Sequence, residues 1–428
     1  MGSRRRFRGW VVVAALGTVL ATSVGISFYG VSVYLAALTR GPGAFSLGAV
    51  SLATSAFLLV GGIAGLGVAA LLERVDIRWV LCGGALAGGA ALYEVGTVRT
   101  PAQLTLAYAA LGVGFAATGA IPASAVIVRW FVRRRALAMS LAFTGLPVGG
   151  AVLTPPIAAL VHSLGVAGAA PWLAAAYVVG IVPVTLAFIR PGPEAAGSGP
   201  DGDSAPQTPA ADHDSGAVRE AVRTPWFWVI TAALMLGMLG QVGAQAHLFN
   251  AIAERLDTVA ATAAVSAMAV ASLVGRMLGL ALLGRVRLTT ATAALLGIQC
   301  LATLGIATAP SLATVVGCTV AFGLTVGNVQ VLHPLLIAER FGGASYARIL
   351  ALSNLVVCGG MAFGPLAVGA VRSGTGTYLD GMAVAACSAT AGAIVVLFAA
   401  RSARRAVSTP IAVSEAYLTS ISSVPPLG

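Results

Sequence analysis

The chain alternates between long apolar runs and short polar breaks. Apolar stretches near 10–38, 46–72, 78–98, 102–128, 136–161 and 170–189 precede one long polar segment, and six more follow near 225–252, 258–284, 288–308, 310–338, 345–371 and 377–400. A helix rises 1.5 Å per residue, so about 20 apolar residues cover the roughly 30 Å hydrocarbon layer of a bilayer. The runs meet that length, and the longer ones imply tilt or emergence from the bilayer. The pattern predicts an all-α membrane protein with twelve transmembrane helices. The narrowest breaks fall at Pro101 and Pro310, which mark short turns.

The one long polar segment divides the chain. Residues 190–224 hold Pro191, Pro193, Pro200, Pro206 and Pro209 with Asp201, Asp203, Asp212 and Asp214, and no periodic apolar face. Such a segment reads as a flexible linker. It separates an N-terminal six-helix bundle (1–189) from a C-terminal one (225–400), and a polar tail (401–428) follows. The halves resemble each other. The second span carries Leu59-Val60-Gly61-Gly62 with Gly65-Leu66, and the eighth carries Leu273-Val274-Gly275-Arg276 with Gly279-Leu280. Two pseudo-symmetric six-helix bundles related by an axis along the membrane normal are the plan of alternating-access carriers, with the substrate site at their interface.

Composition excludes a soluble fold. Hydrophobic residues make up 58% and charged residues 9%, against about 25% charged in soluble domains. The 53 glycines suit close helix packing. All 25 basic residues are arginine, and the net charge is +11. Because these arginines sit in short clusters between apolar runs, they argue against a nucleic-acid partner and instead set orientation. With the N-terminus inside, the cytoplasmic segments hold 20 arginines, including Arg4–Arg6 and Arg133–Arg135. The outer segments hold 4, namely Arg40, Arg99, Arg255 and Arg372. An odd number of spans would scramble this alternation. The chain therefore reads as a multi-pass plasma-membrane protein with both termini and the linker cytoplasmic. The first run is too long for a cleaved signal segment. The five cysteines lie inside apolar runs without metal-ligand spacing and read as small buried hydrophobes.

One arginine remains, and it carries the candidate chemistry. Arg276 lies nine residues before Arg285, about 13 Å along the helix, near the bilayer midplane. An arginine there costs at least about 2.5–3.5 kcal/mol, so it should face a polar cavity or a partner. Its repeat mate is Gly62, so the charge belongs to one half. Its planar fork matches a carboxylate, and the competing role is a structural arginine bonded to backbone carbonyls. His247 and Asn250 on the seventh span and Tyr29 on the first are further substrate-binding candidates. On the tenth span Asn328 is another candidate, though with Gln330, His333 and the kinking Pro334 it also fits polar contacts between helices. Asn354, beside Ser353 on the eleventh span, completes the set.

The motifs resemble those of the major facilitator superfamily. After the second span, Leu71-Leu72-Glu73-Arg74-Val75-Asp76-Ile77-Arg78 follows that superfamily's loop signature, with both glycines lost and its aspartate replaced by Glu73. Entering the fifth span, Trp130-Phe131-Val132-Arg133-Arg134-Arg135-Ala136-Leu137-Ala138 looks like the signature of the monocarboxylate transporter and oxalate:formate antiporter branch. His247-Leu248, Gly275-Arg276 and Phe363-Gly364-Pro365 are similar to that branch as well. The resemblance implies a conformational switch built on Glu73, Arg74, Arg78, Arg133 and Arg134, and a substrate carboxylate held by Arg276. It also shows departures. Proton-coupled relatives place an aspartate where Ser272 stands and a lysine on the first span, and this chain has no lysine. No second cation stands near Asn354, which argues against a dicarboxylate. The carboxylate read as lying within a span is Glu94, near the outer end of the third. Anion exchange or facilitated diffusion follows, with His247 the alternative proton site. The expected function is transport of a small organic anion such as a monocarboxylate, by a monomer that needs no cofactor or metal. The alternative is a drug or metabolite exporter, because Gly145-Leu146-Pro147-Val148-Gly149-Gly150 faintly resembles an antiporter motif. A proline-kinked packing surface is the simpler reading of those residues. No Walker loop, metalloprotease motif or nucleophile elbow supports an enzyme.

Overall fold

The computed structural model describes residues 7–38, 45–196, 199–202, 215–282, 285–342 and 345–408. Arg4–Arg6, Arg40, linker residues 203–214 and the tail beyond 408 lie outside the described residues. Among the described residues the regular structure is entirely helical.

Twelve spans form. The first runs as Gly9–Ser23, a π-helical turn over Val24–Tyr29, then Gly30–Leu38. The second is Leu47–Leu72, the third Ile77–Val95, and the fourth Pro101–Thr118 with Ala120–Trp130. The fifth opens as Arg135–Phe143, and the helix Gly145–Phe188 carries both its remainder and the sixth, divided at Gly165 (φ 68°). A positive φ is open to glycine without steric cost, which is why the chain turns there. The second half comprises Pro225–Arg255, Thr258–Leu282, Leu288–Thr308, Leu312–Phe341, Tyr346–Thr375 and Tyr378–Ser408. Ten described helices are long and apolar enough to cross a bilayer. One of these, Arg135–Phe188, is long enough for two crossings, and Ile77–Val95 supplies the remaining one.

Local chemistry sets the boundaries. Ser46 caps the second span, its Oγ accepting from Ala49 N at 3.2 Å. Pro101 stands at the first turn of the fourth, behind a Thr100–Gln103 capping box. The linker is not wholly irregular as its composition suggested. Ser215–Arg223 forms a helix whose Val218, Ala221 and Val222, at i, i+3, i+4 spacing, turn one face to the core.

The two halves pack by the same scheme. In the first, span two lies on four, three on six and one on five. In the second, eight lies on ten, nine on twelve and seven on eleven. Between halves, the second span packs along the eleventh and the fifth touches the eighth. The Gly145–Gly150 stretch is a packing surface. A Cβ at Gly145 would collide with the Gly17 carbonyl, and one at Gly149 with the Ala21 carbonyl, so glycine lets the fifth span close on the first.

Candidate functional site

A central cavity of about 150 Å³ lies between the halves. Spans one, two, four and five line it from one side, and spans seven, ten and eleven from the other. Its walls differ in chemistry. The first half offers Phe28, Phe57, Phe115 and Phe143 with Gly61 and Gly62, while the second offers Gln330, His333, Asn354 and Cys358 among apolar side chains.

Arg276 stands beside this cavity rather than among its lining residues. Its side chain is buried at 2% exposure. One Nη donates to the Phe143 carbonyl of the fifth span, and the other to Gln330 Oε1 at 3.3 Å. The first bond has a cause in the sequence. A helical carbonyl normally accepts from the N–H four residues on. For Phe143 that residue is Pro147, which has no N–H. The orphaned carbonyl thus receives a guanidinium from the other half. The second bond fixes the Gln330 amide, because a guanidinium has only donors and must face the oxygen. The Gln330 NH₂ remains to donate into the cavity.

His333 is anchored from behind. Its Nε2 lies 2.8 Å from Ser353 Oγ, which lies 2.9 Å from Thr231 Oγ1, linking spans ten, eleven and seven. Asn354 also faces the cavity and donates weakly to Cys358 Sγ at 3.5 Å. Tyr29, the last residue of the π-helical turn, comes close enough to Arg276 to interact electrostatically. Single π turns of this kind recur at functional sites.

The remaining predicted residues lie elsewhere. His247 Nε2 sits 3.0 Å from the Pro365 carbonyl, and its ring lies 5.7 Å from that of Tyr378, away from the cavity lining. Asn250 is exposed. Asn328 donates to the Gly275 and Leu324 carbonyls at 2.8 and 3.0 Å, tying span ten to span eight.

At the arginine-rich end the halves are joined. Glu73 pairs with Arg348 across spans two and eleven, with the glutamate side chain 7% exposed. Arg135 donates to the Ala338 carbonyl of the tenth span at 3.1 Å. Arg78 pairs instead with Asp76, the cap of the third span, at 2.8 Å, and this guanidinium holds the Asp76 carboxyl below the usual range. Arg74 is exposed. The backbone N–H groups of Val132, Arg133 and Arg134 converge on the Asp201 carboxylate of the linker, at 3.0, 2.7 and 3.3 Å. Sequence reasoning passed over Arg348 and Asp201. Their partners come from distant segments, and no spacing signals them.

The fold has solved counterparts. The fucose:proton symporter FucP of E. coli, in an outward conformation, superposes with a TM-score of 0.68 at 14% identity, covering 92% of this chain and 99% of that one. The human organic anion transporter MFSD10 (TETRAN) gives a TM-score of 0.63 at 14% identity, covering 93% and 99%. No curated protein matches the sequence significantly. Residues 8–365 match the sequence model of the Major Facilitator Superfamily, and with two six-helix halves closing on a central cavity, the chain belongs to that family of membrane transporters.

Proposed function

We propose that the chain carries a small organic anion by alternating access, the anion resting in the central cavity with Arg276 as its counter-charge. One observation carries this reading. Arg276 is buried beside the cavity, and its hydrogen bonds go to a carbonyl and an amide, not to a carboxylate. Its Nε–H is buried and meets no acceptor among the described residues. A buried cation without an anion is costly in a membrane, and a cavity next to it is a place where a transported anion offsets that cost. The charge reaches the anion through Gln330, whose amide is polarised by the guanidinium on one side and donates on the other. His333, Asn354 and Tyr29 complete the polar surroundings.

The joined arginine-rich end, read as cytoplasmic, makes this an outward-facing state, and Glu73–Arg348 and Arg135–Ala338 are then the contacts broken on inward opening. The residues that resemble the monocarboxylate transporter and oxalate:formate antiporter branch, Trp130–Ala138 and Gly275-Arg276, favour the same substrate class. No carboxylate is among the described residues that line the cavity, which favours exchange or facilitated diffusion over proton coupling through a buried acid. We read the protein as a plasma-membrane monomer with both termini inside.

The test is counterflow in proteoliposomes. Vesicles loaded with a carboxylate should accumulate labelled carboxylate and ignore its neutral amide isostere. Equal uptake of acid and amide would refute the anion reading.

A further inference from the structure

We infer that the transported anion has a single-ring-sized apolar body, as in benzoate or a similarly compact monocarboxylate. This rests on the cavity being the anion site and adds what the other end of the substrate must be.

The two walls set the requirement. Among the described lining residues, the amide and imidazole groups all come from the second half. Gln330 and His333 stand one turn apart on the tenth span, and Asn354 faces them from the eleventh. The opposite wall is aromatic. Phe28 and Phe115 stack with centroids 6.5 Å apart and planes at 21°, and Phe57 tilts against Phe115 at 5.1 Å. Phe28 and Phe115 are only partly buried, so their rings present area to the cavity. Beside them Gly62 packs closely against Cys358 and Leu355 across the halves, and Gly62 and Cys358 both line the cavity.

Each substrate class fares differently between these walls. A sugar carries hydroxyls on every side, and those turned to the phenylalanines lose water and gain no partner. Formate or acetate satisfies the amide wall and leaves the aromatic wall uncovered. A dicarboxylate places its second charge on phenyl rings. A ring with one carboxylate satisfies both walls: the head accepts from the Gln330 NH₂ and from the Nδ1–H of His333 in the tautomer whose Nε2 accepts from Ser353 Oγ, and the ring stacks on Phe28 and Phe115. Size agrees, since an apolar cavity of about 150 Å³ holds one benzene.

The experiment uses the full-length protein in proteoliposomes, with labelled benzoate, acetate and formate, and with benzamide and fucose as neutral controls. Benzoate should be transported with kcat/KM at least about tenfold above acetate. Phe115→Leu should lower the benzoate-to-acetate ratio by about threefold or more. A second readout needs no variant. In the unmodified protein, benzoate should slow alkylation of Cys358, followed by peptide mass spectrometry, at concentrations where acetate has no effect. Transport of acetate or formate that benzoate neither competes with nor exceeds, or Cys358 alkylation indifferent to benzoate while acetate protects, would overturn the ring-sized body and leave the anion site standing. Uptake of benzamide or fucose but of no carboxylate would overturn both.

Discussion

Replacing Pro147 with alanine should loosen the closed end of the transporter, although Pro147 itself has no N–H to offer there. The proline leaves the Phe143 carbonyl without its helical donor, and Arg276 of the other half takes that place. An alanine at 147 supplies an N–H and turns the carbonyl back along its own helix. Hydrogen bonds to charged groups contribute about 1.5–3 kcal/mol net. The carbonyl keeps a second lone pair, so the lower end applies. At 1.4 kcal/mol per tenfold, the ratio of closed to open forms should fall about tenfold. Ser124, fully buried on the Ala120–Trp130 segment of the fourth span where that helix packs against the eleventh, reports on that closure. In a background with the five native cysteines replaced, Ser124→Cys should react with a maleimide about tenfold faster once Pro147→Ala is added. Arg276→Gln should do the same. Because both act through one carbonyl, the double variant should be no faster than the faster single one. Additive effects, or an unchanged rate in folded Pro147→Ala protein, would refute the shared-carbonyl reasoning.

Other consequences are as direct. Glu73→Gln removes the carboxylate from Arg348 and should speed Ser124→Cys labelling several-fold, while the exchange Glu73→Arg with Arg348→Glu should restore the slow rate. Gly149→Ala should cost the protein its monodisperse form in detergent or several degrees of Tm, because the new Cβ meets the Ala21 backbone. Gly67→Ala, with nothing within 4 Å, should leave Tm unchanged. Asp201→Ala frees the N–H groups of 132–134 and should make linker cleavage by limited proteolysis faster without altering the spans.

The twelve spans and the repeat were legible in the sequence because apolar length is a one-dimensional signal, and lipid leaves the backbone no choice but helix. Arg276 was legible for a similar reason, since a charge among apolar residues stands out without knowledge of neighbours. Its partners were not. Pro147 reads in the sequence only as a kink in a packing surface, and the tertiary fold is what shows a cation of the other half on the carbonyl it frees at Phe143. Polar residues on the tenth span show the same gap. Asn328, Gln330 and His333 are close in sequence, yet Asn328 binds backbone of the eighth span while Gln330 and His333 face the cavity. Helical periodicity separates their directions without naming what lies in each. The aromatic wall was silent in the sequence, because Phe28, Phe57 and Phe115 come from three spans and are ordinary residues in each.

The central claim is that one buried guanidinium supplies the charge for a transported anion. It is tested most directly by benzoate and acetate counterflow in proteoliposomes holding equal amounts of folded wild-type, Arg276→Lys and Arg276→Gln protein, with folding checked by gel filtration. Arg276→Gln should lose carboxylate counterflow. Arg276→Lys should keep the charge yet fall well below wild type, because an ammonium cannot hold Phe143 and Gln330 as a fork does. Folded Arg276→Gln protein that exchanges carboxylates at the wild-type rate would contradict that claim.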